Sequence, residues 1–290
     1  MNIPILAVGR VAALPFHLER LILRIWSVEE LCHLFKTNPF ILDETILDRR
    51  LVAWLESECD LPELAGKLSL LLKKNGGVEA FVNTIIEYTG FLTAEEIERV
   101  NNVLHGNADL TDYEMEINRA DFLLSCGKYQ LAWREYERIL SLLPQGAGEF
   151  LLPSRSLLSR VLHNKGIALA RLFMFKQAAA SFLLAYERGG AVESGRAYLI
   201  ATRLGMSDVE YISFIAERPI FRDFSLEVEH IYIQAANDYN GTEEKRNLDD
   251  LIFDPGISDG SDRRRAIDQL VAAARHTYNT SQSTYTESSK

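Results

Sequence analysis

Cys32 and His33 stand side by side and are the nearest thing in this chain to a pair of metal ligands. A structural or catalytic zinc site needs three or four such side chains at close spacing. The other cysteines, Cys59 and Cys126, are far off and no CxxC occurs. Three separated cysteines suit reduced thiols in a cytosolic protein better than a disulfide framework. A glycine-rich phosphate loop, HExxH and GxSxG are all missing. The loops "GGVEAFVN" and "SDGSDRRR" hold glycine beside charge but lack the Lys-Ser/Thr pair that cradling a phosphate requires. Glu95-Glu96 reads as a helix start, where carboxylates complement the helix dipole. Asp249-Asp250 falls in a stretch without periodicity, which it keeps solvated. His163 stands alone, either a titrating surface group or a packing residue. These residues predict no enzyme, no metal and no cofactor.

The composition agrees with that reading. The chain has 290 residues, 47% hydrophobic and 25% charged, enough for a sizeable core in one extended or two ordinary domains. A net charge of −10 argues against a duplex nucleic-acid binder, which needs a basic face. The opening "MNIPILAVGRVAALPF" is apolar without a basic stretch before it, and Arg10 interrupts it. It reads as a buried first segment of a cytoplasmic protein rather than a secretory signal. No run approaches the ~20 apolar residues that span a bilayer, so no membrane insertion is expected.

From Ser27 onward the pattern is helix after helix. "SVEE" offers Ser27 as N-cap with Glu30 three residues on. "DETILDRRLVAWLESE" aligns Ile46, Leu47, Leu51, Trp54 and Leu55 on one face. "LPELAGKLSLLLKKNGG" has Pro62 in the first turn and Gly76-Gly77 as a stop. "VEAFVNTIIEYTG" closes on Gly90, and Thr93 with Glu96 opens a helix through Val103. Short turns predict antiparallel helical hairpins. One exception is "LILRIWS", Leu21 to Ser27, which could be a short strand. "FSLEVEHIYIQAANDY" predicts a long helix, "NGTEEKRNLDDLIFDPGISDGSD" loses periodicity, and Arg263 to Tyr278 predicts a last amphipathic helix. The division expected is 1–110 helical, 111–220 repeats, 221–278 helix and irregular linker, and 279–290 a disordered tail.

Two stretches repeat at a spacing of 46 residues: Ala120 with Gly166, Leu123 with Leu169, Tyr129 with Phe175, Ala132 with Ala178, Tyr136 with Phe182, Ile139 with Ala185. Small residues let facing helices approach, and rings fill the space between one hairpin and the next. The set Ala120, Gly127, Tyr129, Ala132, Tyr136 and Pro144 resembles the tetratricopeptide repeat, a 34-residue helix-turn-helix. Gly166, Phe175, Ala178, Phe182 and Ala185 resemble it too. Both copies depart from the pattern. Glu116 and Ile139 stand where a large apolar residue and an alanine are usual. Phe173 replaces the turn glycine, the second copy lacks the closing proline, and about twelve extra residues around "GEFLLPSRSLLS" precede it. A weak third copy runs from "ESGRAYLIATRLG" into "SDVEYISFIAE", with Gly205 at the turn, Ser207 and Glu210 as capping box, and Phe214 in the ring position. The whole chain also resembles uncharacterised bacterial proteins of this layout, which bring no established activity. The fold class expected is therefore all-α, hairpins stacked as a short solenoid.

In that family the first helices of successive units line a groove for an extended peptide or a partner helix. The resemblance implies a groove formed by Ile117, Asn118, Asp121, Leu124 and Ser125 in the first unit. The second unit would add Arg160, His163, Asn164, Ile167 and Arg171. An amide such as Asn164 both donates and accepts, so it can fix a peptide backbone or simply bond a neighbouring helix. Arg160 and Arg171 would pair with ligand acids or with Asp121 and Glu114. Asp121 would repel a C-terminal carboxylate, which argues against the carboxylate clamp of some family members. The function expected is a non-enzymatic protein–protein interaction module: adaptor, scaffold or chaperone-like subunit. The alternative is a peptide-responsive regulator acting through protein contacts, since the basic recognition helix of a DNA reader is missing.

Overall fold

The computed structural model describes residues 8–142, 154–253, 264–273 and 275. Pro144, the insert up to Pro153, the linker 254–263 and the tail 279–290 lie outside the described residues. The fold is all-α. Among the described residues the only sheet is one two-stranded hairpin, and no helix is long and apolar enough to cross a membrane. The chain divides into two compact units, the first ending at Ser125 and the second beginning at Cys126, within the turn of the first repeat copy.

In the first unit, β1 (Phe16–Leu18) pairs antiparallel with β2 (Leu23–Ile25) in the register Phe16↔Ile25 and Leu18↔Leu23. The strand anticipated in "LILRIWS" is thus three residues long, and its partner was not anticipated. The segment before β1 is less buried than expected. Ala12 is enclosed, but Val8, Val11 and Leu14 are exposed. Polar bonds hold the segment instead. The Arg10 guanidinium donates to the Ser57 and Glu58 carbonyls, and Trp54 Nε1 donates to the Leu14 carbonyl at 2.7 Å.

Helix α1 (Val28–Thr37) starts at Ser27, whose Oγ accepts from Glu30 N–H. Glu30 reaches back to the amide of Trp26 rather than that of Ser27. The helix expected from Asp43 begins only at Arg49. Asp43 caps a 3-10 turn (Glu44–Ile46) by accepting from Thr45 N–H, and Asp48 then caps α2 (Arg49–Ser57). Aspartates bond nearby amides in preference to continuing a helix, so two of them split the run. Next comes α3 (Pro62–Lys73), where the left-handed residue of the stop is Asn75 (φ 53), with Gly76 N–H bonded to the Leu71 carbonyl. Then follow α4 (Val78–Thr89), α5 (Ala94–Ala108) and α6 (Asp112–Ser125). Thr93 and Glu96 form a complete capping box, and α5 runs five residues beyond Val103 to Ala108. Leu31, Phe35, Leu51, Leu55, Leu64, Leu68, Phe81 and Ile85 are fully enclosed, each contributing roughly 1.5–3 kcal/mol by burial.

The second unit contains α7 (Tyr129–Ser141), α8 (Arg155–Arg171), α9 (Phe175–Gly189), α10 (Val192–Leu204) and α11 (Asp208–Ala216). A 3-10 turn (Pro219–Phe221) leads into α12 (Arg222–Asn240) and α13 (Glu243–Phe253), and 264–273 are helical again. The stretch expected to be irregular from Asn240 therefore holds α13. Thr242 Oγ1 accepts from Lys245 N–H at its start, and Lys245 pairs with Asp249 one turn on. Asp249-Asp250 belongs to this helix rather than to a loop. Leu169, Ala178, Phe182, Tyr198, Leu199 and Phe221 form the centre of the core, with Trp133, Ile167 and Phe224 packed around them.

Candidate functional site

The two turns 46 residues apart have one backbone conformation. Gly127 is left-handed at φ 70 and Phe173 at φ 60. The residues that follow match too, Lys128 at φ −80, ψ 56 and Met174 at φ −88, ψ 58. A left-handed conformation is natural for glycine and strained for phenylalanine, so the second turn keeps the geometry without the residue that favours it. The ring opening each second helix rests against the end of the next first helix. Arg171, last in α8, lies over the Tyr129 ring at 5.8 Å, and a methyl placed on Gly205, after α10, would stand 3.3 Å from Phe175 Cβ. Ala120, Gly127, Ala132, Tyr136, Gly166, Ala178, Phe182 and Ala185 are all buried, while Tyr129 and Phe175 are half-buried.

Helix α8 is held on three sides. Lys165 pairs with Glu137 of α7 at 2.7 Å, which holds the Glu137 carboxyl below its ordinary range. Gly166 meets the Phe182 ring of α9 so closely that a Cβ there would lie 2.6 Å from it, and Ser159 Oγ donates to the Ala185 carbonyl. His163 Nδ1 is 2.9 Å from Ser194 Oγ of α10, and its ring stands edge-on to Phe182. Burial keeps the His163 pKa below its usual value, with Glu193 opposing. This histidine is a packing residue and leaves the expected groove set. The 3.6-residue period puts Arg160, Asn164, Ile167 and Arg171 on one remaining stripe. Arg160 and Arg171 are exposed, and Asn164 and Ile167 half-buried.

The groove residues expected from the first copy lie on α6, in the other compact unit. Ile117 is fully enclosed and is a core residue, whereas Asn118, Asp121 and Leu124 are half-buried. Glu114 reaches back to Thr111, whose amide and hydroxyl donate to it at 2.9 Å, closing a capping box. The first unit also holds a cavity of about 210 Å³ lined by Phe16, Leu21, Ile46, Asp43, Arg50 and Arg119. Its charges are matched: Asp43 pairs with Arg119 and Arg20, and Arg50 with Glu19 and Asp48. This network ties the β-hairpin to the 3-10 turn and to the start of α2.

Cys32 and His33, neighbours on α1, differ in burial, the thiol enclosed and the imidazole exposed. Burial pushes the Cys32 thiol up to about 11 and that of Cys59 up to about 12. Both are held as inert thiols rather than thiolates. Among the described residues no group of His, Cys, Asp and Glu could hold a metal ion.

A second concave feature of the second unit was not foreseen. Between α11 and α12 lies a groove of about 330 Å³, walled by Tyr211, Ile212, Ile215 and Leu226. At its base Arg203 is buried between Asp208 (2.7 Å) and Glu229 (2.6 Å), with its guanidinium over the Tyr232 ring at 4.1 Å. Burial alone would favour a discharged guanidine, but the two carboxylates outweigh it and keep Arg203 charged. Burial, with Glu229 adding to it, pushes Tyr211 up to about 12.

No family model, no curated protein and no solved structure matches the chain.

The functional reading therefore rests on this chain's own residues. A signal for the unforeseen groove was present in "SDVEYISFIAE". Val209 and Ile212 project to one side of α11 while Tyr211 and Ile215 project to another, more apolar surface than a two-helix hairpin can cover.

Proposed function

We propose that the protein is a non-enzymatic protein–protein interaction module, an adaptor, scaffold or chaperone-like subunit, that takes a segment of a partner protein along the exposed stripe of α8. One observation carries this reading. The helix is fixed on three sides by α7, α9 and α10, and the exposed Arg160 and Arg171 share one helical stripe with Asn164 and Ile167, which are half-buried. Exposed guanidinium groups one helical stripe apart can meet acids or backbone carbonyls of an extended chain. The matched turn conformations at Gly127 and Phe173 support a tetratricopeptide-like reading, in which first helices present this face. The free, buried cysteines support a reducing, cytoplasmic setting. The charge of −10 supports a protein or peptide partner over nucleic acid.

The test is an affinity pull-down with wild type, Asn164→Ala and Arg171→Glu, with folding followed by circular dichroism. Loss of the same partner from both variants with helicity intact is the expected result. An unchanged partner set would move the binding surface elsewhere.

A further inference from the structure

In the first unit, α2 and α3 pack side by side as a hairpin. Between them runs a groove of about 280 Å³, lined by Arg49, Val52, Ala53 and Glu56 of α2 and by Ser69, Leu72 and Lys73 of α3. Both sets keep helical spacing, so one stripe of each helix faces the groove. The chain reverses between Ser57 and Pro62, which puts Arg49, first in α2, and Lys73, last in α3, together at the open end. Ser69 lies one turn in from Lys73. Ala53 lies one turn in from Arg49, where its single methyl leaves room. Val52 is buried and Leu72 half-buried, giving an apolar floor. Glu56 stands toward the closed end, about 10 Å along the axis from Arg49.

Three donors of this groove have no partner within the protein. Arg50, next in sequence, is held by Asp48 and Glu19, yet among the described residues neither Arg49 nor Lys73 makes an ion pair. That is notable in a chain with 41 acids against 31 lysines and arginines. Ser57 and Thr84, on α2 and α4, donate their hydroxyls to carbonyls one turn back, at Ala53 and Ala80. The Ser69 hydroxyl makes no such bond among the described residues. Two cations and a hydroxyl at one end suit a doubly charged oxyanion. A phosphate monoester carries about −1.5 to −2 near neutral pH and three acceptor oxygens, enough for both cations and the third donor. A carboxylate would leave one cation unmatched, and the guanidinium fork fits phosphate oxygens in pairs. Glu56 disfavours a second anionic group at the far end. We propose that the α2–α3 groove binds a small phosphate monoester, its phosphate between Arg49, Lys73 and Ser69 and its apolar body over Val52 and Leu72. The site shares no residue with the α8 stripe and does not depend on the interaction-module reading.

The probe is phenyl phosphate, titrated into the full chain and followed by saturation-transfer NMR of its ring protons. Saturable binding is expected. Phenyl sulfate, of the same shape with a single charge, should bind at least about fivefold more weakly. Arg49→Ala and Lys73→Ala, both at exposed positions, should each weaken phenyl phosphate by about tenfold with helicity unchanged by circular dichroism, and Ser69→Ala by about threefold. Glu56→Gln should leave binding unchanged or tighten it. No saturable binding overturns the proposal, and so does equal binding of phenyl sulfate. Binding that both alanine variants retain would be attraction to cations elsewhere on the surface and overturns it too. Inorganic phosphate competing as strongly as phenyl phosphate would overturn the apolar half of the site. Asn164→Ala should bind the probe as wild type does, so failure at the α8 stripe and failure at this groove are told apart.

Discussion

The α8–α9 and α10–α11 hairpins follow one plan at a spacing of 32 residues, with Phe173 answering to Gly205 and Phe182 to Phe214, yet they close differently. Helices α8 and α9 lie closely against each other, and α10 covers α9 on its other side. Helices α10 and α11 hardly touch. One facing position distinguishes them. Gly166 has no side chain, so the Phe182 ring settles onto the α8 backbone. Its counterpart, Tyr198, meets Phe214 ring to ring at 6.1 Å and holds the helices apart. A tight hairpin buries its ring, and a splayed one leaves it half-buried. Truncating the two rings should expose that difference. Phe182→Ala, in the core, should cost about 3–5 kcal/mol in urea unfolding, while the half-buried Phe214→Ala should cost about 1–2 kcal/mol. Equal losses would mean that both hairpins are closed to the same degree.

The next largest effect sharpens the same contrast. Gly166→Ala gains helix propensity of about 1 kcal/mol, but its methyl would sit 2.6 Å from the Phe182 ring. Overpacking of that kind costs roughly 1–3 kcal/mol, so a net loss of stability is expected. In a Phe182→Ala background the clash disappears and the same substitution should become neutral or stabilising. A double-mutant cycle by equilibrium unfolding measures the coupling directly. Additive effects would show that Gly166 is tolerated for some reason other than this contact.

These contrasts also explain what could be read in advance. The small and aromatic positions were legible because burial constrains their size: Ala132, Ala178 and Ala185 are fully enclosed, as the spacing required. Caps were legible where Ser or Thr precedes Glu by three residues, as at Thr93 and Ser207. The start of α2 was not, since "DETILD" carries helical periodicity through two aspartates whose capping bonds break it. Nor was α13, an exposed helix held by a cap and an i, i+4 pair rather than an apolar stripe. At the site, helical period alone placed Arg160, Asn164, Ile167 and Arg171 on one stripe. It could not tell that His163, one position from Asn164, turns inward to Ser194. The α11–α12 groove depends on how far two helices splay, which no single residue announces.

The matched turns give a smaller effect with a sign that distinguishes them. Both positions are left-handed, a conformation that costs an L side chain roughly 1–2 kcal/mol. Gly127→Ala should therefore lower stability by about 1 kcal/mol, while Phe173→Gly should raise it by about 0.5–1 kcal/mol, some of the gain offset by the lost edge contact with Phe175. Thermal unfolding of both variants checks this. Two destabilising changes would mean that the exposed Phe173 ring holds the second turn more firmly than its backbone strain loosens it.

The smallest effect separates the hairpins by pH. His163 lies against Phe182 of α9 and near Ser194 and Glu193 of α10, whereas its counterpart at the same spacing is Gly195, which does not titrate. Burial lowers the His163 pKa and Glu193 only partly restores it, so the unfolded chain binds the proton more tightly than the folded one. The neutral ring thus contributes its full stability above the unfolded value of about 6.5, and the contribution falls away as pH drops from there toward the lower folded value. The difference between the two proteins isolates the contribution of His163. His163→Gln keeps a hydrogen-bonding partner for Ser194 without a titrating group. Its urea midpoint should fall less than that of wild type between about pH 7.5 and 5. Parallel midpoints would place His163 in water as freely as in the unfolded chain, and would return it to the groove face of α8.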